Sequence, residues 1–343
     1  LGWFPRHRVF GRENFPSRGP YIVAGNHRGI MEVFLMVATC PLPMEALGAG
    51  DIPLDPRYRF LADFYGYIPY KRGQMDRPAL GTAARVLREG GVVGIFPEGG
   101  IWKAGEKSAH RGVAWLSFTT GAPVVPVGFG GVYRAIGRAL RLEKPRLETW
   151  VGRPIALPPR PKGTTRRDHM TAHARRVLEE IDALVPAWDK EEHIEPEEEI
   201  FDLEVRVGEE EHRDEIMHPE TLSEFFHTPV LIDVLYSNLK RHGVSPLRRF
   251  GRPYPPAAIA HAVAIILGYT IRTNPAFLTY RLGDEKAQRV TEALSSLRHL
   301  ALQLANRGDE ERAHMRIVPI HRFRMPGTSE WVERRRPPKI DRF

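Results

Sequence analysis

With 343 residues, 42% apolar and 27% charged, the chain can bury one large core or two smaller ones, which excludes a wholly disordered protein. Its single cysteine, Cys40, excludes an intrachain disulfide framework and any cysteine-based metal cluster, and suits a reducing compartment. The net charge of +8 is uneven: residues 1–190 carry 28 Lys and Arg against 17 Asp and Glu, a net of +11, and the remainder is net −3. A basic surface attracts phosphate in any form, from nucleic acid to anionic lipid to a phosphorylated metabolite, so charge alone selects no partner.

The run Tyr21-Ile22-Val23-Ala24 is short, apolar and rich in β formers, and reads as a buried strand. The apolar run from Ile30 to Ala38 reads as a buried helix, so Asn26-His27-Arg28-Gly29-Ile30-Met31-Glu32 occupies a strand-to-helix corner. Such a corner suits a general base, His27, whose ring is oriented by a carboxylate, Glu32, from the first helical turns. Asp76-Arg77-Pro78 starts a helix that Gly90-Gly91 stops, with Leu80, Ala83, Ala84 and Leu87 along one stripe. Val92-Val93-Gly94-Ile95-Phe96 is a second buried strand, running into Pro97-Glu98-Gly99-Gly100.

A helix is expected from about Ala109 to Thr120, then a strand at Val124-Val125-Pro126-Val127-Gly128. Pro126 assigns that strand to an edge or end position, or marks a turn of the backbone towards a site. Leu147 to Val151 reads as a strand and Asp168 to Leu184 as a helix closed by Pro186. This alternation implies an α/β domain, a mixed sheet flanked by helices, over residues 1–187.

Residues 188–218, with Glu197-Glu198-Glu199 and Glu209-Glu210-Glu211, are expected to be an acidic linker with one short strand at Ile200 to Val207. A mostly helical region follows over 219–343, with helices at Thr221 to Arg241, Ala257 to Ile271 and Asp284 to Asn306. The basic tail from Arg322 onward is expected to be poorly ordered. No apolar run reaches the roughly 18 to 20 residues that span a bilayer. Because the chain begins at Leu1 and carries no signal sequence, upstream residues are expected, a membrane anchor being one form they could take.

Four corner motifs stand in order: Asn26-His27-x4-Glu32; Gly66 to Arg72; Phe96-Pro97-Glu98-Gly99; and Val124-Val125-Pro126-Val127. Together they resemble the motifs of the glycerolipid acyltransferases, the family of lysophosphatidic acid acyltransferase, over about residues 10 to 187. The resemblance implies transfer of an acyl chain from acyl-CoA or acyl carrier protein to a hydroxyl of a lysophospholipid or related glycerolipid. It implies no cofactor, no metal and no nucleic acid. By the same resemblance His27 is the base, Glu32 its orienting acid, Arg72 with Lys71 binds the acceptor's phosphate, Glu98 supports that site or its hydroxyls, and Gly99 and Gly100 let backbone amides approach the anion.

Glu32 departs from the family's usual aspartate, and Gly100-Ile101-Trp102 replaces its Thr-Arg-Ser, leaving Lys103, Lys107 or Arg111 to supply the missing charge. The second reading is a catalytically inactive membrane-binding or scaffold homologue of the same fold. An enzyme acting on a one-chain lipid is expected to sit peripherally on the membrane, at the cytoplasmic face, held partly by its basic half.

Overall fold

A computed structural model describes residues 6–29, 31–50, 66–99, 109–133, 135–140, 142–191, 196–208, 210–227, 254–307 and 314–335. The N-terminal part runs β1 (Arg6–Phe10), β2 (Tyr21–Gly25), α1 (Met31–Thr39), β3 (Met44–Ala49), β4 (Ile68–Tyr70), α2 (Arg77–Arg88), β5 (Val92–Ile95) and α3 (Gly112–Thr120). It continues with β6 (Val124–Gly130), α4 (Ala135–Leu140), β7 (Arg146–Val151), α5 (Arg166–Leu184) and α6 (Ala187–Glu191).

The seven strands form one sheet in the order β1-β7-β6-β2-β5-β3-β4, parallel throughout except where β6 meets β7. β2 and β5 are buried at every position because helices cover both faces. Ile22, Ala24, Val93 and Ile95 pack with the apolar stripes of α2, α3 and α5 on one side. On the other, Tyr21, Val23 and Val92 pack with Leu35 and Met36 of α1. The α2 start follows from its sequence: the Asp76 side chain accepts from the backbone N–H of Ala79 at 3.2 Å, with Pro78 in the first turn.

Pro126 does not place β6 at an edge. The strand lies inside the sheet, between β2 and β7. Proline is tolerated because the Pro126 carbonyl faces β7 at the point where that ladder ends, accepting from Gly152 N at 2.8 Å, so its missing N–H points to the same side and costs no interior ladder bond.

The stretch read as a linker is folded. α6 occupies Ala187–Glu191, so the N-terminal part extends past residue 187, and β8 (Glu198–Val207) pairs along ten residues with a strand near the C-terminus. After β9 (Glu210–Glu211) come α7 (Pro219–His227), α8 (Pro256–Thr273), α9 (Ala276–Leu282) and α10 (Asp284–Ala305). β10 (Met315–Arg324) and β11 (Trp331–Arg334) complete a four-stranded antiparallel sheet in the order β11-β10-β8-β9. The C-terminal region is therefore helical with a sheet added, and the tail expected to be poorly ordered is paired as far as Arg334. Of the helix expected over Thr221 to Arg241, residues 228–241 lie outside the described residues, as do 336–343 of the tail.

The acidic residues misled the sequence reading because their partners are distant in the chain. Arg324 meets Glu198 at 2.7 Å and Glu197 at 3.2 Å, and His321 meets Glu199 at 3.0 Å. The Arg324 pairs, with glutamates about half exposed, add little stability. What anchors β8 is Leu203 and Val205, spaced two apart and buried in a core with Phe226, Val263 and Leu297. Leu203→Ala is expected to cost about 2–5 kcal/mol in denaturant unfolding. A loss below about 0.5 kcal/mol, the range of ordinary surface substitutions, would contradict the placement of β8 against this core.

Candidate active site

Ala24 is in register with Ile95 of β5 and Gly25 with Val127 of β6, so the loops after these strands emerge at one edge of the sheet. The carboxyl edge of parallel strands is where open α/β sheets bind their ligands. Asn26, fully buried, is the first residue past β2. Its Oδ1 accepts from Phe129 N at 2.7 Å and its Nδ2 donates to Phe129 O at 3.1 Å, fastening the corner to β6.

His27 follows, partly exposed, its ring stacked on Phe96 with centroids 4.3 Å apart and planes 19° from parallel. Arg28 then reaches Asp189 of α6 at 3.0 Å, and Asp189 Oδ1 accepts from Gly131 N at 2.8 Å. Asp189 is itself fully buried. Nothing in the sequence marks it, since it reads as one more acidic residue at the start of an acidic stretch.

Glu32 lies in the first turn of α1 and is fully buried. Its Oε1 accepts from the backbone N–H of Arg28, with further backbone hydrogen bonds at Gly29 and Glu32 itself. Oε2 is buried with no hydrogen-bond partner among the described residues. Burial pushes the Glu32 carboxyl up to about 8, the backbone hydrogen bonds oppose that rise, and the nearby Glu98 carboxylate adds to it. The carboxylate thus holds the backbone of the corner that carries His27.

Glu98, 1% exposed, follows β5 in a tight turn. Gly99 adopts φ +66° and its N–H donates to Phe96 O at 3.0 Å. That amide serves the turn, so the expected role of Gly99 in presenting a backbone N–H to an anion is replaced by a conformational one. His110, whose N donates to Pro97 O at 3.0 Å, also hydrogen-bonds the Glu98 backbone through its ring. Burial holds the His110 imidazole below its ordinary value, and the bond to Glu98 partly offsets this.

Lys71 and Arg72 follow β4, three strands from β2, or about 14 Å at the usual strand spacing. They share the carboxyl edge with His27 and Glu98 without adjoining them. Lys71 N donates to Asp76 Oδ2 at 2.9 Å, while the Arg72 guanidinium lies over the Phe277 ring, 4.8 Å from its centroid. Asn274 Nδ2 donates to Arg72 O at 2.7 Å, and the Tyr280 hydroxyl meets His110 Nε2 at 2.6 Å. Sequence reasoning missed these C-terminal residues, because no local pattern links Asn274, Phe277 or Tyr280 to motifs some 170 to 200 residues away. Gly100, Lys103 and Lys107 lie outside the described residues, and Arg111 stands at the start of α3. No helix among the described residues is long and apolar enough to cross a membrane.

Residues 6–130, which contain all four motifs, match the protein family described as Acyltransferase. The 1-acyl-sn-glycerol-3-phosphate acyltransferase of Borreliella burgdorferi is 29% identical over 122 residues, 35% of this chain, and the chain spans only 49% of that protein. The enzyme of the same name from Bacillus subtilis is 24% identical over 160 residues, covering 43% of this chain and 73% of its own. Among solved structures, the 1-acyl-sn-glycerophosphate (LPA) acyltransferase PlsC of Thermotoga maritima aligns with a TM-score of 0.40 and 22% identity, covering 53% of this chain and 73% of its own. The domain at residues 6–130, which carries the four motifs, therefore matches the Acyltransferase family and is similar to the 1-acyl-sn-glycerol-3-phosphate acyltransferases.

Proposed function

We propose that the protein transfers a fatty acyl chain from a thioester, acyl-CoA or acyl carrier protein, to the free hydroxyl of a lysophospholipid such as 1-acyl-glycerol-3-phosphate. The observation that carries this reading is His27: partly exposed, stacked on Phe96, and flanked by two residues clamped to the end of β6. His27 takes the proton from the acceptor hydroxyl as its oxygen attacks the thioester carbonyl. The new ester bond forms, the carbon–sulfur bond breaks, and the departing thiolate recovers the proton from the imidazolium. With its carboxyl pushed up to about 8, Glu32 is largely protonated at neutral pH, so it serves His27 by holding the Arg28 backbone, and its charge favours the imidazolium only as pH rises through about 8. Arg72, planar and bidentate, takes the acceptor's phosphate, with Lys71 adding charge.

Purified protein given radiolabelled acyl-CoA and a panel of lysolipids is expected to yield acylated lipid. His27→Ala should lower that rate by about two to four orders of magnitude. Free fatty acid as the product would make the protein a hydrolase, and no turnover of any donor would make it a binding homologue.

Glu32 supports two readings, since its carboxylate holds the corner backbone in the structure and the mechanism asks it to steady the imidazolium. If it steadies the charge, Glu32→Gln and Glu32→Ala lose most activity while Glu32→Asp keeps a measurable part; equal loss in all three marks a purely structural carboxylate. The raised pKa of Glu32 also fixes a stability slope. Between the ordinary glutamate value of 4.5 and about 8, the folded chain keeps a proton that the unfolded chain has released. Stability contributed by this group is therefore complete below 4.5 and is lost as pH rises through that window. Denaturant titrations at several pH values should show this slope in the wild type and a flatter one in Glu32→Gln; parallel slopes would contradict the assignment.

We further propose peripheral attachment at the cytoplasmic face of the membrane. Supporting it are the net +11 of residues 1–190 and two exposed apolar side chains near the site motifs, Phe34 (44% exposed) on α1 and Met75 (48%) in the loop after β4. Each basic side chain near an anionic bilayer contributes on the order of 1 kcal/mol, screened by salt. Flotation with anionic vesicles is expected at low salt and reduced at high salt. Absence of binding to both anionic and neutral vesicles would contradict it.

A further inference from the structure

The C-terminal region touches the acyltransferase part at the two loops that carry Arg72 and Glu98. Asn274, fully buried at the start of α9, donates to Arg72 O at 2.7 Å and receives Gln74 Nε2 at 3.5 Å. Three residues on, the Phe277 ring lies beneath the Arg72 guanidinium, and three further on, the Tyr280 hydroxyl bonds the His110 ring that is in turn bonded to the Glu98 backbone. Residues at this spacing share one face of a helix, so a single face of α9 meets both loops.

Two glycines show how closely it meets them. A Cβ on Gly73 would lie 2.7 Å from the Ala276 carbonyl oxygen and 2.7 Å from Tyr280 Cβ, and one on Gly99 would lie 2.5 Å from the Tyr280 hydroxyl. Each loop thus lacks a side chain where α9 sits against it, and each glycine has positive φ, +85° and +66°. The helix is rigidly held from behind: Phe277 and Leu278 belong to the C-terminal core with Val263, Ala293 and Leu297.

We propose that Asn274 and α9 form the acceptor-side wall of the site, with Asn274, Phe277 and Tyr280 as positioning residues for a phosphate-bearing lysolipid headgroup. This rests on the acyl-transfer reading, in which Arg72 binds that phosphate. The contact with Phe277 holds the guanidinium carbon over that ring, and arginine bonds phosphate oxygens through its N–H groups. The Asn274 bond fixes the Arg72 backbone, and Tyr280 fixes the Glu98 loop through His110. The C-terminal region therefore acts on the acceptor side of the site.

Phe277→Leu and Tyr280→Phe in the full chain test this, the second removing one hydroxyl and leaving the packing intact. KM for 1-acyl-glycerol-3-phosphate is expected to rise about threefold to thirtyfold in Phe277→Leu, the range of a lost cation–π contact, with a smaller rise in Tyr280→Phe. KM for the acyl-CoA donor should stay within about twofold, which loss of packing alone would not produce. Calorimetric binding of 1-acyl-glycerol-3-phosphate without donor should show the same weakening. A protein that binds this lipid, weakly so in the variants, yet transfers no acyl chain upholds the wall and refutes the acyl-transfer reading. Acceptor KM and binding unchanged in both variants, donor and acceptor KM raised equally, or a wild type that acylates other lysolipids but does not bind the phosphate-bearing one would each overturn the wall.

Discussion

The way the chain leaves β2 depends on the Asn26 amide. It is buried and hydrogen-bonded through both its ends to one residue, Phe129, satisfying the N–H and C=O of a backbone position at the end of a neighbouring strand. Removing the amide would strand two buried backbone groups, at about 1–3 kcal/mol each. Two residues later Arg28 is held by Asp189, which also receives Gly131 N, so residue 26 is clamped to Phe129 of β6 and residue 28, through Asp189, to Gly131 just past its end. His27 stands between two fixed neighbours. That is how a partly exposed side chain in a loop gains the fixed position that the proposed reaction requires.

Around this corner the fold accepts an electrostatic cost. Glu32 and Glu98 are both buried, and the Glu98 carboxylate adds to the rise that burial gives the Glu32 carboxyl. The N-terminal amides of α1 offset part of that cost for Glu32. Carboxyl groups shifted by burial and a like charge cluster at functional sites, and under the proposed reaction this pair adjoins the corner that carries His27.

What the sequence revealed tracks where the physical cause lies. β2 and β5 were legible because a strand covered on both faces must be apolar throughout, and α2 because Asp76 and Pro78 mark its start. His27, Glu32 and Glu98 were legible because each closely follows such a strand. Pro126 misled because its tolerance depends on where β7 ends, which is a property of the sheet. The strand at Ile200 to Val207 was legible, but its place in a folded sheet was obscured by glutamates whose cationic partners are more than 100 residues away. Asp189 and α9 were illegible for the same reason, since their contacts close over distances in sequence that no periodicity records. Glu32 was recognised as a residue, but its hold on the Arg28 backbone could be seen only in the folded corner.

The account treats His27 as a base that never carries the acyl group, with both substrates meeting at the carboxyl edge of one sheet. A nucleophilic histidine in the same place would use the same residues and give the same product, so chemistry on the protein itself separates the two. The direct measurement is a single turnover with label in the acyl chain of the thioester, quenched in acid and in neutral buffer and followed by intact mass of the protein. With donor alone the account predicts that label stays on the thioester and none appears on the chain; adding lysolipid should move it to the lipid in one step. Label on the protein, formed and discharged at the rate of turnover, would contradict it.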